Sequence, residues 1–343
     1  MRASHLRRDV HSQLFQNLTQ GSKMPRFSII VPLTGDERLF DQTLASVLRD
    51  RSPSSEILVI HDGTYQDPHQ LGDEITFAST EKKSDLIAMF NHAVSLASGD
   101  FLAFIRPGIE LSPDWQMTVD AAFQKPDIAS VSPLITTSAE PHKIVTAGVE
   151  AGIGFQRKMS GARCRTTPSK LARISPLGPT SWAAFYRRSA IEQIHPVSED
   201  LSSVFLDQEI AMSLRTIGLR TNFSPETNLA VERIGLITAE QKLAHGQSAQ
   251  RTYRRHAISS RSFLRTTSLI AWDLLNAPLQ PWRFQQAVGR MSAIWHRRED
   301  REYRAHLTNM VSEKSLKLVV WYDNESGFSN RVINLTELIA SKL

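Results

Sequence analysis

Four short apolar segments, separated by segments with helical spacing, constrain the fold of this chain more than any other feature of its sequence. They are FSIIVPL at 27–33, EILVI at 56–60, FLAFI at 101–105 and IASVSPLI at 128–135. Their unbroken apolar character and β-branched residues are typical of strands buried on both faces of a parallel sheet. The apolar spacing of LFDQTLASVLRD (39–50) and DLIAMFNHAVSLA (85–97) predicts helices between them. This order predicts βαβ units in an α/β fold.

Further helices are predicted along the chain. The segment at 112–124 reads as a helix capped by Ser112 with Pro113 at its first position. The segment at 207–218 is predicted to be helical and to end at Gly218. Beyond residue 236 the composition becomes helical, with one apolar stripe formed by Phe284, Val288, Met291 and Trp295. This stripe indicates a face that docks on the core of the chain itself, with a membrane or partner surface as the alternative.

Composition and charge limit the classes of function. The chain has 343 residues, of which 41% are hydrophobic and 22% are charged, and this composition predicts a globular protein with a sizeable core. The single cysteine, Cys164, excludes an intrachain disulfide and fits a cytoplasmic location.

The net charge is +5, with a basic cluster RTYRRHAISSRSFLR at 251–265. This cluster indicates solvated helix faces or peripheral contact with an anionic surface, such as the inner face of a membrane. No zinc-finger, helix-turn-helix or aromatic RNA-binding signature accompanies the charge, and no nucleic-acid partner is predicted. Because no window approaches about 20 apolar residues, no membrane-spanning helix is predicted.

Two strand ends are the candidate ligand site. HDGT (61–64) follows the second predicted strand, and RPG (106–108) follows the third. Open sheets of this kind bind ligands beyond the carboxyl ends of their strands. The two segments are therefore expected to lie at the same edge of the sheet.

Five motifs in a fixed order carry a resemblance to a known family. They are FSIIVP, VIHDGT, MFNHAV, GDFLAFIRPG and LDQEIAMSLRTIGLR. In this order, over residues 26–235, the chain resembles the family 2 nucleotide-sugar glycosyltransferases, which are inverting enzymes of the GT-A fold. The resemblance implies a Rossmann-like, mostly parallel sheet with helices on both faces, followed here by a helical C-terminal extension. It also implies a nucleotide-diphosphate sugar as donor and a glycan, lipid or protein as acceptor.

The resemblance assigns candidate roles to single residues. Asp207 matches the general base of the family, and Asp62 matches the aspartate that binds the nucleotide base. The matching substrate-binding positions are Pro32, Asp62, Asn91, Arg106 and Glu209. Two simpler interpretations stay open: Asp62 forms only a turn with Gly63, and Asp207 is only a helix N-cap.

The acid motif that binds a divalent cation in this family is missing. Arg106, Pro107, Gly108 and Ile109 stand in its place, and no metal ligand is predicted among them. Three interpretations follow. Arg106 replaces the metal, because a guanidinium binds phosphate oxygens directly.

The second interpretation is a degenerate, non-catalytic GT-A module that acts in binding or assembly. In the third, Mn²⁺ or Mg²⁺ is held by Glu110 with a later acid such as Glu232. No other cofactor is predicted. If Arg106 does not bind ligand, its expected contact is a surface ion pair with Asp114 or Glu110.

The end of the chain carries a separate resemblance. Residues 316–343, LKLVVWYDNESGFSNRVINLTELIASKL, resemble the C-terminal end of glyceraldehyde-3-phosphate dehydrogenase, in which the residue matching Asn324 contacts the nicotinamide. No G-x-G-x-x-G follows the first strand, so a dehydrogenase reading fails for the whole chain. The predicted organisation is a polar lead-in at 1–25, a GT-A domain at 26–235, a helical extension at 236–315 and a dehydrogenase-like tail at 316–343.

Overall fold

The fold is seen in a computed structural model, which describes residues 26–80, 85–231, 240–256 and 262–295. The predicted lead-in at 1–25, Glu232 and the tail at 316–343 lie outside these ranges. Helices and strands are numbered in chain order.

Eleven strands form the β structure of the described residues. They are β1 (Phe27–Pro32), β2 (Glu56–His61), β3 (Thr76–Ser79), β4 (Phe101–Ile105), β5 (Ile109–Glu110), β6 (Ile128–Thr137), β7 (Ile144–Thr146), β8 (Val149–Ala151), β9 (Arg157–Met159), β10 (Ala183–Arg187) and β11 (Arg220–Val231). Nine of them build one sheet in the order β3-β2-β1-β4-β10-β6-β11-β5, with β7 paired to β6. Strands β8 and β9 form a separate antiparallel hairpin.

The sheet is mixed, and its longest ladders are parallel. Strands β3, β2, β1 and β4 run parallel to one another, and β6 runs parallel to β11. Strand β10 is antiparallel to both of its neighbours, β4 and β6. Strands β4 and β6 therefore run in the same direction, with β10 between them. The α/β class and the mostly parallel sheet agree with the prediction.

Nine helices are described. They are α1 (Glu37–Asp50), α2 (Leu86–Leu96), α3 (Trp115–Phe123), α4 (Pro168–Leu171), α5 (Arg188–Glu192), α6 (Leu206–Thr216), α7 (Glu240–His256), α8 (Ser262–Asn276) and α9 (Trp282–Ser292). Helix α3 begins at Trp115, two residues after the predicted first position at Pro113, and Ser112 does not cap it: the backbone N–H of Trp115 instead closes a turn on the Ser112 carbonyl.

Helices cover both faces of the sheet because successive side chains of a buried strand point to opposite sides. On one face Ile29 and Val31 pack with α1 and α3, and on the other Ile30 packs with α2, α5 and α6. Aspartates begin two of these helices: Asp36 accepts the backbone N–H of Arg38, and Asp85 accepts that of Ile87. The core thus fixes the strand ends from both sides.

The C-terminal helices pack in a way that the sequence does not predict. Phe284 and Met291, members of the predicted docking stripe, are 56% and 39% exposed, whereas Arg290 is fully buried. The prediction that the stripe docks on the core is therefore wrong. The cause is a close crossing of α7 and α9 at Gly246 and Gly289, where a Cβ on either glycine would clash with backbone of the other helix. Small and polar residues form the buried face instead.

Within the ranges that the structure describes, no helix combines the length and the apolar character required to cross a membrane.

Candidate active site

The carboxyl ends of β2, β1 and β4 form the edge at which the predicted site residues meet. In the parallel ladders Pro32 of β1 lies opposite Ile60 of β2, and Ile30 lies opposite Phe104 of β4. Asp62 and Arg106 follow the ends of β2 and β4, so they lie at one edge with β1 between them. Two strand spacings correspond to about 10 Å.

The RPG segment forms a tight turn at this edge. The backbone N–H of Ile109 donates to the Arg106 carbonyl at 3.2 Å, with Pro107 and Gly108 as the two central residues. Gly108 has a φ of 92°. Proline followed by a residue of positive φ is the arrangement of a type II turn, which favours glycine at the second position. Thr43 of α1 fixes the turn, because its Oγ1 accepts the Gly108 N–H at 2.9 Å.

The residues of this turn do not fit a divalent cation. Pro107, Gly108 and Ile109 have no side-chain oxygen, and Arg106 brings a positive charge to the same place. Glu110 is exposed and lies 3.6 Å from the guanidinium of Arg49, measured from Oε1 to Nη2. Among the described residues, no group of three or more histidine, cysteine, aspartate or glutamate side chains is arranged to hold a metal.

Asp62 retains one free carboxylate oxygen. Its Oδ1 accepts hydrogen bonds from the backbone N–H of Thr64 at 3.0 Å and from the Thr64 hydroxyl at 2.5 Å. These bonds hold the pKa of Asp62 below its ordinary value. The turn role of Asp62 is therefore real, but it uses only Oδ1. Among the described residues, none donates to Oδ2, which can accept a hydrogen bond from a ligand.

Asp207 lies in the first turn of α6 and is fully buried. Arg157 of β9 forms a fork with it, from Nε to Oδ1 at 2.8 Å and from Nη2 to Oδ2 at 2.6 Å. Backbone N–H groups of Gln208 and Ser181 donate to Oδ1 at 2.8 Å and to Oδ2 at 3.0 Å. The helix begins after Phe205 without a side-chain cap, so the N-cap interpretation of Asp207 is wrong.

Arg106 belongs to the same group of charges. Its backbone N–H donates to the Trp182 carbonyl at 2.8 Å, next to Ser181, which contacts Asp207. Burial lowers the pKa of the Arg106 guanidinium; the Asp207 carboxylate acts in the opposite direction, and Arg157 acts in the same direction as burial. The predicted surface pair of Arg106 with Asp114 or Glu110 is not formed. Within the described ranges its guanidinium makes no hydrogen bond.

The part of the chain that forms this edge matches a known protein family. Residues 28–194 match the family model described as glycosyl transferase family 2. The matched segment begins in β1 and includes Asp62, Asn91 and Arg106, whereas Asp207 follows it. Together with the fold, the match supports a glycosyltransferase-like function for this domain.

Solved glycosyltransferases share the fold. The mannosyltransferase PcManGT from Pyrobaculum calidifontis, in complex with GDP-Man and Mn²⁺, is 13% identical with a TM-score of 0.50, covering 88% of this chain and 92% of its own. GalNAc-T7 with UDP, GalNAc and Mn²⁺ is 14% identical with a TM-score of 0.54, covering 77% of this chain and 55% of its own. At these identities the similarity establishes the GT-A type of fold and nothing further.

Short matches to dehydrogenases also occur. Glyceraldehyde-3-phosphate dehydrogenase of Priestia megaterium is 54% identical over 37 residues, and the Bacillus subtilis enzyme is 57% identical over 37 residues. The aligned segment spans only 11% of the length of either enzyme. The resemblance is thus confined to a short segment of the glycosyltransferase-like chain.

Asn91 and Glu209, two of the predicted substrate-binding residues, both make hydrogen bonds within the protein. The Asn91 side chain donates to the Val197 carbonyl and to Glu199, and it accepts the Val197 N–H. These bonds hold the segment that precedes α6. Pro32 is buried at the end of β1, so it shapes the edge of the glycosyltransferase-like domain through its backbone.

Glu209 joins α6 to α7. It is fully buried and accepts hydrogen bonds from Thr252 at 2.9 Å, His256 at 3.1 Å and Arg255 at 3.5 Å. Burial acts to raise the pKa of Glu209, but His256 and Arg255 lower it to about 2. Its carboxylate is directed to the C-terminal helices, away from the sheet edge.

Arg157 is the residue that sequence reasoning missed. It lies on a three-residue strand, and its partner Asp207 is 50 residues away in the chain. No motif around GIGFQ marks the arginine that follows it as a site residue. Only the placement of the β8–β9 hairpin against α6 of the glycosyltransferase-like domain reveals the contact.

Proposed function

We propose that this chain is an inverting family 2 glycosyltransferase that transfers a sugar from a nucleotide-diphosphate sugar to a glycan, lipid or protein acceptor. The observation that carries the proposal is the proximity of a carboxylate, Asp207, and a cation, Arg106, at the sheet edge that also bears Asp62. Such a donor requires an acceptor for the base imide, a cation for the diphosphate and a base for the attacking hydroxyl.

Asp207 is proposed as the base. It takes the proton of the acceptor hydroxyl while the acceptor oxygen bonds to the anomeric carbon. The bond from that carbon to the diphosphate oxygen breaks, and the nucleoside diphosphate leaves with the electron pair. Because attack and departure occur on opposite faces, the anomeric configuration inverts.

Arg106 is proposed to compensate the charge of the leaving diphosphate without a metal. A guanidinium stays protonated in proteins and forms two parallel hydrogen bonds to phosphate oxygens. The type II turn holds Arg106 at the strand end where the resembled family has its acids. Nucleotide binding should therefore be independent of divalent cations.

The competing candidate is a non-catalytic GT-A module that binds a partner or a nucleotide. Two observations favour it: the turn residues do not fit a metal, and both carboxylate oxygens of Asp207 are bound to Arg157. Such a module would bind nucleotide weakly or not at all and would transfer no sugar.

Nucleotide titration tests the proposal. Because the two structural relatives were determined with GDP-Man and with UDP, guanosine and uridine diphosphates are titrated first, each with EDTA and with manganese. We expect binding in EDTA, weakened about 10- to 100-fold by Arg106→Ala. The control is Arg188→Ala, whose guanidinium pairs with Glu192 and donates to the Gly99 carbonyl before the start of β4. Loss of binding in EDTA contradicts the metal-independent site.

Transfer itself is tested with Asp207→Asn. We expect this variant to bind the donor but to consume none of it, since an amide cannot take the acceptor proton. Wild-type chain that binds nucleotide but consumes no donor, across a panel of acceptors, would support the non-catalytic module.

We also propose that the protein contacts the inner face of an anionic membrane peripherally. The residues around the α8–α9 turn are strongly exposed and apolar: Leu275 and Leu279 are 77% and 82% exposed, and Trp272 is 56% exposed. Tryptophan, leucine and nearby arginines are the composition of interfacial helices. The acceptor could then be presented at the membrane surface.

Sedimentation with vesicles containing anionic lipid tests this contact. Leu275→Glu together with Leu279→Glu should reduce binding. Met117→Glu, a control at a 63% exposed methionine of α3, should not. Equal binding by all three proteins would exclude the α8–α9 turn as the contact.

A further inference from the structure

The contact of Arg157 with Asp207 leaves the candidate base no free lone pair. A carboxylate oxygen accepts about two hydrogen bonds. Oδ1 accepts from Arg157 and Gln208, and Oδ2 accepts from Arg157 and Ser181. An acceptor hydroxyl therefore cannot donate its proton to Asp207 while Arg157 keeps both of its bonds.

The surrounding charges are not balanced. Arg157 and Arg106 are two cations, and Asp207 is the carboxylate that acts on both of them. The Arg157 side chain is 6% exposed and that of Asp207 is fully buried. Buried charge is unfavourable unless it is paired, so an excess cation in this place favours the binding of an anion.

A second polar group points to the same ligand. The Thr180 hydroxyl is 1% exposed and has no hydrogen-bond partner among the described residues, and Thr180 directly precedes Ser181. Buried hydroxyls are normally hydrogen-bonded. An anion bound beside Arg106 and Arg157 would supply oxygens that can accept a hydrogen bond from this hydroxyl.

Arg157 sits on an element that is separate from the main sheet. Strands β8 and β9 form a two-stranded ladder of three residues each, and β8 has one further bridge, from Val149 to Gly178. The turn between them is held by contacts to helices, including Gln208 to the Phe155 carbonyl at 2.9 Å and Arg290 to the Gly154 carbonyl at 3.0 Å. The arginine can therefore change its partner without breaking a ladder of the large sheet.

We propose that Arg157 is a second diphosphate-binding residue, which exchanges Asp207 for the diphosphate of the donor. Without donor, Arg157 is paired with Asp207. When the diphosphate binds between Arg106 and Arg157, the arginine turns to it, and the Asp207 carboxylate becomes free to accept the proton of the acceptor hydroxyl. The inference rests on the proposed function, because it takes a diphosphate-bearing donor as ligand.

Calorimetric titration of the full chain with inorganic pyrophosphate tests the exchange without requiring knowledge of the sugar or the base. Arg157→Ala and Arg106→Ala should each weaken pyrophosphate binding about 10- to 100-fold. Asp207→Asn should strengthen it several-fold, since the carboxylate that competes for Arg157 is removed. Arg188→Ala, the surface control, should leave it unchanged.

The Asp207→Asn result separates this role from a merely structural ion pair. If Arg157 only stabilises α6, removal of the carboxylate does not increase the affinity for pyrophosphate. Thermal denaturation verifies that each variant is folded. Arg157→Lys, which keeps the charge but not the fork, provides a second variant and should bind pyrophosphate more tightly than Arg157→Ala.

Failures of the two proposals are distinguishable. Unchanged pyrophosphate affinity in folded Arg157→Ala, or unchanged or weaker affinity in folded Asp207→Asn, overturns the exchange even if the wild-type enzyme transfers sugar. Pyrophosphate binding that depends on both arginines, in a chain that transfers no sugar, supports the two-arginine site and overturns the proposed enzymatic function.

Discussion

The backbone conformation of Gly108 is unfavourable for the acidic residue that a metal site at this turn would need. Its φ of 92° is strained for a residue with a side chain, and its N–H is bonded to Thr43 of α1. An acidic residue at position 108 would either adopt a strained positive φ or disrupt the turn. The conformation of the turn, in addition to the missing carboxylates, thus makes this edge unsuitable for a divalent cation.

Gly108→Asp is expected to lower the free energy of unfolding by about 1–3 kcal/mol and to create no manganese affinity. The strain follows from the positive φ, and one carboxylate beside Arg106 is too few ligands for the ion. Denaturant unfolding and manganese titration measure the two effects. Gly72→Asp, at an open position without positive φ, is the matched control. Manganese binding by a folded Gly108→Asp would contradict this reading of the turn.

The position of a site residue could be predicted from the sequence only where that residue directly follows the end of a strand. Asp62 and Arg106 meet at one edge because the parallel strands that precede them end there. Arg157 could not be predicted, since its contact with Asp207 depends on where a small hairpin lies. The buried roles of Asn91 and Glu209 were also hidden, because their partners belong to distant segments of the chain.

At the scale of elements, α6 and α7 are joined through buried charge. Glu209 accepts from Thr252, Arg255 and His256, and Arg255 also pairs with Asp200 at 3.0 Å. The folded-state pKa of Glu209, about 2, lies below the ordinary value of 4.5. The ionised carboxylate therefore stabilises the folded protein above about pH 4.5, and this contribution is lost as the pH falls toward 2.

Glu209→Gln is expected to lower the free energy of unfolding at pH 7 by about 3–5 kcal/mol, because it removes the buried carboxylate that pairs with Arg255 and accepts from Thr252 and His256. The difference from wild type should shrink between about pH 4.5 and 2. Denaturant unfolding over this range measures it. Glu192→Gln removes an exposed pair with Arg188 and should change stability by less than about 1 kcal/mol. A pH-independent difference would contradict the role of the Glu209 charge.

Gly289→Ala tests the crossing of α7 and α9. Alanine favours a helix over glycine by about 1 kcal/mol, so an open helix would be stabilised. Here the Cβ would meet the backbone of α7, and overpacking should destabilise the protein by about 1–3 kcal/mol. Thermal denaturation gives the sign. Gln285→Ala, on the exposed side of α9, is expected to be neutral or slightly stabilising, and stabilisation by Gly289→Ala would argue against the close crossing.

Elements with regular apolar patterns were predictable, and the irregular ones were not. Strands β1, β2, β4 and β6 follow from their unbroken apolar runs, and helices α1, α2 and α6 follow from their helical spacing. Strand β11 contains Pro225 and a register shift between Ser224 and Asn228, which interrupt its pattern. The five residues of β10 are placed by partners on both sides, and nothing in their own sequence specifies that central position.

At the scale of the whole molecule, the C-terminal helices complete the glycosyltransferase-like domain. Besides the contacts of Glu209, Arg290 of α9 bonds to Asp273 of α8 and to the Gly154 carbonyl beside the β8–β9 hairpin. A chain ending at residue 235 would expose Glu209 and the hairpin turn. We expect it to lose the cooperative unfolding transition of the full chain in calorimetry. A sharp transition within a few degrees of wild type would show that residues 26–235 fold alone.

The buried pairing of Glu209 also has a consequence for biosynthesis. His256 lies 47 residues after Glu209, so the ribosome releases α6 well before the cations that cover it. Until α7 has emerged from the ribosome, the Glu209 carboxylate stays exposed to solvent on a surface that is buried in the folded protein. Proteolysis of stalled chains of increasing length should therefore detect protection of α6 only after residue 256 leaves the exit tunnel. Helix α7 thus determines when the domain that is synthesised before it becomes mature.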